Sequence, residues 1–220
     1  MDPSNRRDSL SRARLYLLAT RAFSRLPLVE AVAAACRGGV GVVQLREKDA
    51  PDAEVLALAR DLAAAVRESG ALLLVNDRVE VALEAGADGA HVGPTDAPAA
   101  EARRLLGPDR ILGVTTHDLA QARRAAADGA DYVGIGPVFP TETKGVPVHV
   151  IGPEAAGRVA RTLAIPAFAI GGIAPGNVRR VRDGGCQRAA VCASVLGSPD
   201  PEGAARALLE VLTGSAGPSA

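Results

Sequence analysis

Apolar residues along this chain fall into short, strand-length runs separated by stretches with helical spacing, and the alternation repeats from one end to the other. Runs at Leu15–Ala19, 72–75, 111–114 and Ala167–Ile170 are nearly continuous in apolar side chains, and helical patterns such as those at 52–67 and Leu119–Ala127 lie between runs. Four further runs follow a shared small-residue signature: Gly38-Gly39-Val40, Ala85-Gly86-Ala87-Asp88, Asp128-Gly129-Ala130-Asp131 and Asp183-Gly184-Gly185-Cys186. A glycine at this place suits the left-handed turn that ends a helix, so each copy predicts a helix-to-strand junction. Together the pattern predicts eight strands and about eight helices in strict alternation. Continuous apolar strands imply a parallel sheet covered by helices, and eight units favour closure into a barrel: an α/β, TIM-type (β/α)8 fold. No Pro/Ser-rich linker interrupts it, which predicts one domain over 14–213 with flexible tails at 1–13 and 214–220. The longest connection without clear periodicity is 140–153, of the kind that binds or covers ligands.

Composition narrows the function classes. Twenty-five basic and 25 acidic residues cancel, which argues against nucleic-acid or membrane partners held by net charge. The chain has no Trp, two Tyr and three Phe, so no base-stacking platform is evident. The polar opening through Arg14 lacks a secretory apolar region and no run reaches membrane-span length, which predicts a cytoplasmic protein. Cys36, Cys186 and Cys192 have neither disulfide nor zinc-site spacing and read as small core residues.

In a barrel of this type the chemistry sits on loops that follow the strands. After the second strand, Gln44, Arg46 and Lys48 alternate with Leu45 and Glu47, so period-two spacing points all three one way and suggests an anion site. Asn76-Asp77 after the third strand is either a plain turn or functional. Asp96 reads as a cap for a helix at 97–106, or as a partner of Asp77 in holding Mg2+ through oxygen ligands. Gly171-Gly172 after the seventh strand would let backbone N–H groups approach a phosphate, helped by a helix start near Asn177. Thr141, Thr143 and Lys144 supply hydroxyl and ammonium donors after the sixth strand, and Ser194 either donates to phosphate or caps the segment before Gly197. His91, His117 and His149 form no ligand pair or triad order and receive no role.

Taken in order, Gln44-x-Arg46-x-Lys48, Asn76-Asp77-Arg78, the stretch from Gly134 through Pro140-Thr141-x-Thr143-Lys144, and Ala169-Ile170-Gly171-Gly172-Ile173 resemble the thiamine phosphate synthase family. The resemblance spans 15–212. It implies a barrel that joins hydroxymethylpyrimidine diphosphate to a thiazole phosphate and releases pyrophosphate by a dissociative route. By the same resemblance Arg46, Lys48 and Asn76 hold the diphosphate substrate with Gln44 beside them, and Lys144 faces the pyrophosphate. Asp77 and Asp96 bind Mg2+, Thr141 and Thr143 take the thiazole phosphate with Gly172, and Thr115 stands where the family commonly has Ser.

The sequence departs from the family pattern at Pro94, where Gln is usual, and at Leu18-Ala19-Thr20, which ends the first strand. At the eighth strand Ala193 takes the phosphate-binding Ser position, with Ser194 one residue later and facing away if the strand is regular. Two rivals stand beside the synthase reading. One is a thiazole tautomerase on the same barrel, with His117 as its proton-transfer group. The other is a noncatalytic phosphate-ligand sensor. Small-molecule partners follow from the first two, and no pattern selects for or against a homodimer formed through outer helices.

Overall fold

The computed structural model describes residues 2–94, 96–141 and 149–214. Eight strands are present: β1 (Leu15–Ala19), β2 (Val42–Leu45), β3 (Leu72–Asn76), β4 (Gly89–Val92), β5 (Ile111–Thr116), β6 (Tyr132–Ile135), β7 (Ala167–Ile170) and β8 (Ala189–Val191). All neighbours pair in parallel and β8 returns to β1, closing the barrel as the alternation predicts. The four repeated turns hold Gly39, Gly86, Gly129 and Gly185 at φ of 99°, 66°, 96° and 99°, backbone that a Cβ makes costly.

The strands sort their side chains by alternation into two packed regions. Leu15, Leu17, Val43, Leu45, Leu73 and Val75 face the helices, whereas Tyr16, Leu18, Val42, Leu72, Leu74, Ile111, Tyr132 and Phe168 fill the barrel interior. Phe168 meets Tyr16 and Tyr132 edge-on at 5.3 and 5.6 Å between ring centroids. Each such contact contributes about 0.5–1.5 kcal/mol beyond area burial.

The outer layer holds α2 (Leu28–Arg37), α3 (Asp52–Glu68), α4 (Val79–Glu84), α5 (Ala99–Leu106), α6 (Leu119–Ala127), α7 (Pro153–Thr162), α8 (Val178–Asp183) and α10 (Pro201–Thr213), with the short α9 (Ala193–Leu196) after β8. One more helix, α1 (Pro3–Arg12), lies where the sequence suggests a tail. Asp2 caps it by accepting from the Ser4 N–H, and Leu10 packs with the interior cluster at 2 % exposure. Arg6 and Arg7 pair with Asp88 and Asp131, which stand just before β4 and β6, so α1 closes the N-terminal mouth of the barrel. With one large apolar anchor and ion pairs elsewhere, it carries no hydrophobic period from which to predict it. Gly214 caps α10 in the left-handed conformation, and 215–220 lie outside the described residues.

Candidate active site

At the opposite mouth, where the strands end, lies a cavity of about 760 Å³. Leu18, Phe168, Ile170 and Ala190 give it apolar walls, and Gln44, Arg46, Asn76, Thr115, Thr141, Gly172 and Ser194 bring polar groups to it. A largely apolar chamber with a few convergent polar groups is the usual form of a small-molecule site. Gln44 reaches it because β2 turns Val42 and Gln44 inward, and Arg46 continues that phase while its N–H donates to the Ala19 carbonyl at 2.8 Å. Thr143 and Lys144 lie outside the described residues.

A charged group stands at the rim. Lys48 Nζ is 3.5 Å from Asp77 Oδ2, and Asp77 shares a hydrogen bond with Asp96. Asp77 holds φ 63°, the left-handed region that Asp tolerates better than most side chains. Its N–H donates to the His91 carbonyl at 2.8 Å, which fixes it against the end of β4. Burial, then the hydrogen bond and charge of Asp96, push Asp77 up to about 6 against the pull of Lys48. For Asp96 burial also presses upward. The hydrogen bond from Asp77, the Gly93 N–H and the Lys48 charge outweigh it and hold this carboxyl below its ordinary value. The two adjacent carboxylates therefore hold one proton between them below about pH 6 and give it up above that.

Asp96 is not the cap of the helix expected at 97–106: α5 begins at Ala99 behind Pro98, and Asp96 instead accepts from the Gly93 N–H at 2.7 Å. Two hard-oxygen side chains in contact fit a magnesium ion taking the place of the proton between them. No cluster of three or more His, Cys, Asp or Glu occurs among the described residues, so water and ligand oxygens would complete that ion's shell.

Across the cavity is an anion-shaped corner. Gly171 and Gly172 both have positive φ, and Asn177 braces their turn by donating to the Gly172 carbonyl at 2.8 Å and accepting from the Ala174 N–H at 2.9 Å. Asn177 is thus occupied with the loop. The strand alternation predicted for Ser194 does not hold, because β8 ends at Val191 and Ala193–Leu196 is helical. Ser194 lines the cavity, and its Oγ is buried with no hydrogen-bond partner. A buried hydroxyl without a partner costs about 1–3 kcal/mol, which a phosphate oxygen would relieve.

Sequence reasoning missed the cavity floor. Tyr16, Tyr132 and His91 all line the cavity and link Gln44 to Thr115 in one hydrogen-bonded chain. The signal was present: the only two tyrosines of an aromatic-poor chain both occupy inward strand positions. Burial pushes both phenols well above their ordinary range. Arg78 stands in the Asn76-Asp77-Arg78 motif but received no role from the sequence. It donates to the carbonyls of Glu47, Lys48 and Ala50 and pairs with Asp52, so it shapes the loop that carries Lys48. Cys192 is half-buried, packing against the core and also lining the cavity, with burial pushing its thiol up to about 11. Cys36 and Cys186 are buried as expected.

The profile of a family described as "Thiamine monophosphate synthase" matches residues 15–195. The chain belongs to the thiamine monophosphate synthase family. Among its relatives, a thiamine-phosphate synthase of Roseiflexus sp. (strain RS-1) is 45% identical over 192 residues, covering 87% of this chain and 81% of the relative. One from Anaeromyxobacter dehalogenans is 50% identical, covering 78% and 77%. The solved thiamine phosphate pyrophosphorylase of Pyrococcus furiosus superposes with a TM-score of 0.84 at 36% identity, covering 96% of this chain and 99% of the other.

Within the thiamine monophosphate synthase family, the departures seen in the sequence acquire positions. Pro94 is exposed in the turn that Gly93 and Asp96 close, so the proline leaves the Asp96 carboxylate in contact with Asp77. Thr115 lines the cavity. His117 does not line the cavity, and its Nδ1 lies 2.5 Å from the Gly136 carbonyl oxygen.

Proposed function

We propose that this chain is a thiamine-phosphate synthase. It condenses 4-amino-2-methyl-5-hydroxymethylpyrimidine diphosphate with 4-methyl-5-(2-phosphoethyl)thiazole, or its carboxylate, giving thiamine phosphate and pyrophosphate by a dissociative route. The observation that carries this reading is the placement of two separate anion-seeking groups on either side of one apolar cavity. Arg46 in the cavity wall, with Lys48 and the Asp77–Asp96 pair that would hold Mg2+ beyond it, forms one, and Gly172 with the unpartnered Ser194 hydroxyl forms the other. Two phosphorylated substrates that must meet between their phosphates fit that arrangement.

Arg46, Lys48 and Asn76 bind the diphosphate, and the cations stabilise the charge that develops as it leaves. Asp77 and Asp96 would hold Mg2+, which when bound supplies positive charge to the leaving group. The apolar walls exclude water from the pyrimidine methylene cation until the thiazole nitrogen attacks it, a step that needs no general base. Thr141, Gly172 and Ser194 orient the thiazole phosphate; Thr143 and Lys144 lie outside the described residues and are assigned by the family resemblance, Thr143 to the thiazole phosphate and Lys144 to the pyrophosphate. No helix among the described residues is long and apolar enough to cross a membrane. The tautomerase reading has less support, because its candidate proton-transfer group, His117, does not line the cavity.

The test is a coupling assay with both substrates and Mg2+, following thiamine phosphate and pyrophosphate with and without chelator. Chelator-sensitive appearance of both products is expected. A folded protein that binds the substrates and makes neither product would overturn the proposal.

The phosphate corner makes its own prediction. A Cβ on Gly172 would lie 2.3 Å from the Pro140 carbonyl oxygen at a φ of 63°, so Gly172→Ala must displace the loop that follows β6. Strain of this type costs about 1–3 kcal/mol. The KM for thiazole phosphate is expected to rise about tenfold or more, with that for pyrimidine diphosphate within about threefold of wild type. Equal rises in both constants would count against a separate phosphate corner.

A further inference from the structure

The floor of the cavity contains a hydrogen-bonded chain whose direction can be worked out. Gln44 Nε2 has hydrogens only to give, so Tyr16 Oη, 2.6 Å away, accepts. Tyr16 then has one hydrogen left, and Tyr132 Oη lies 2.7 Å from it. If Tyr132 donated to Tyr16 instead, the Tyr16 hydrogen would be buried without a partner in this chain, which folded proteins avoid. Tyr16 therefore donates to Tyr132, and Tyr132 donates to His91 Nδ1 at 2.8 Å. That leaves the hydrogen of neutral His91 on Nε2, which gives it to Thr115 Oγ1 at 2.8 Å. Thr115 accepts and keeps its own O–H to donate into the cavity. At the other end Gln44 gives one of its two amide hydrogens to Tyr16 and keeps Oε1 as an acceptor.

We propose that Tyr16 and Tyr132 are positioning residues that carry one hydrogen-bond direction across the barrel, so that the cavity floor presents an acceptor at Gln44 and a donor at Thr115. The matching ligand is a planar nitrogen heterocycle with a donor on one edge and an acceptor on the other. For the identity of that ring, the inference rests on the coupling reading above. The hydrogen-bond direction itself does not depend on it. The backbone makes room for the chain: a Cβ on Gly113 would lie 2.1 Å from Tyr132 Cζ and 2.2 Å from its Oη, so the bare glycine of β5 is the seat of that phenol.

The experiment is nitrogen NMR of ligand-free protein labelled at histidine with 15N, at pH 8, with His91 assigned by the loss of its signals in His91→Gln. Wild type is expected to show an unprotonated Nδ1 and a protonated Nε2. Gln44→Glu places an acceptor where the amide donor was, so every bond in the chain reverses and the hydrogen moves to Nδ1. Tyr132→Phe, which keeps the ring and loses only the oxygen, is expected to give a mixture of the two tautomers, and it decides the matter if Gln44→Glu does not fold. In the coupling assay Tyr132→Phe should raise the KM for pyrimidine diphosphate about five- to tenfold, the worth of one oriented hydrogen bond, and leave that for thiazole phosphate unchanged. Wild type with its hydrogen on Nδ1, a doubly protonated His91, or a tautomer unmoved by either substitution would overturn the proposal. A wild-type protein that does not couple its substrates would sink the synthase reading instead, with the tautomer measurement still deciding the direction of the chain.

Discussion

Asp77→Asn is expected to abolish Mg2+-dependent coupling and, in the same protein without metal, to raise thermal stability at pH 8. Both effects come from one carboxyl. Burial and the neighbouring Asp96 push Asp77 up to about 6 from an ordinary 3.8, with Lys48 offsetting only part of the shift. A carboxyl whose folded pKa is raised is destabilising when ionised. The penalty is absent below about pH 4, grows as pH rises through the interval to about 6, and is complete above it. After discounting for solvent screening at the rim, the penalty is on the order of 1–2 kcal/mol. Asparagine removes the charge, keeps a donor toward Asp96 and tolerates the left-handed φ of 63°. A gain of about 2–6 °C is therefore expected at pH 8, fading toward pH 4. Activity should move the other way, because an amide is a poor substitute for an anionic oxygen ligand, and a loss of about 100-fold or more in kcat is expected. Melting curves at the two pH values and initial rates across a Mg2+ series check both halves. A variant that is less stable at pH 8, or that still couples with saturable Mg2+ dependence near the wild-type rate, would sink this account of Asp77.

The barrel could be read because its strands and turn glycines follow local rules: apolar runs of fixed length, and a left-handed turn that glycine satisfies at Gly39, Gly86, Gly129 and Gly185. Gln44 and Arg46 were legible for the same reason, since period two carries the inward phase of β2 beyond the end of the strand. The orientation of Ser194 stayed conditional because that rule applies only to a regular strand, and past Val191 the backbone changes to helix and alternation stops. Asp96 was open to two readings because a carboxylate accepting from a nearby N–H and one starting a helix look alike in sequence; only the Pro98 start of α5 separates them. The Gln44-to-Thr115 chain joins residues on five different strands, and no local pattern encodes contacts between positions as far apart as Tyr16 and Tyr132. Helix α1 was hidden for the opposite reason. Its attachment to Asp88 and Asp131 is by charge, which leaves no hydrophobic period.

Arg46→Ala is expected to lower kcat/KM for the pyrimidine diphosphate about 100- to 1,000-fold while leaving the melting temperature almost unchanged. The separation follows from how the arginines of this mouth are committed. Arg21 pairs with Glu47 and Glu54, and Arg78 pairs with Asp52 and ties down three loop carbonyls, so their charges serve the scaffold. Arg46 lines the cavity and makes no ion pair among the described residues; only its backbone N–H is engaged, with Ala19. Removing its side chain strands no partner carboxylate, which is the usual cause of large stability losses at charged positions. What is lost is a planar fork of donors directed at a dianion whose charge grows as the bond to the pyrimidine methylene breaks. Arg46→Lys separates charge from geometry: an ammonium restores the charge but cannot bind two oxygens side by side, so it should recover only about a tenth of wild-type kcat/KM. Full recovery by lysine would make the residue a simple counter-charge. Wild-type kcat/KM in Arg46→Ala would place the diphosphate elsewhere in the cavity, with Lys48 as its main cation. If both substitutions instead lower the melting temperature by several degrees, Arg46 belongs to the scaffold with Arg21 and Arg78, and the anion site must be sought among the remaining cations of the rim.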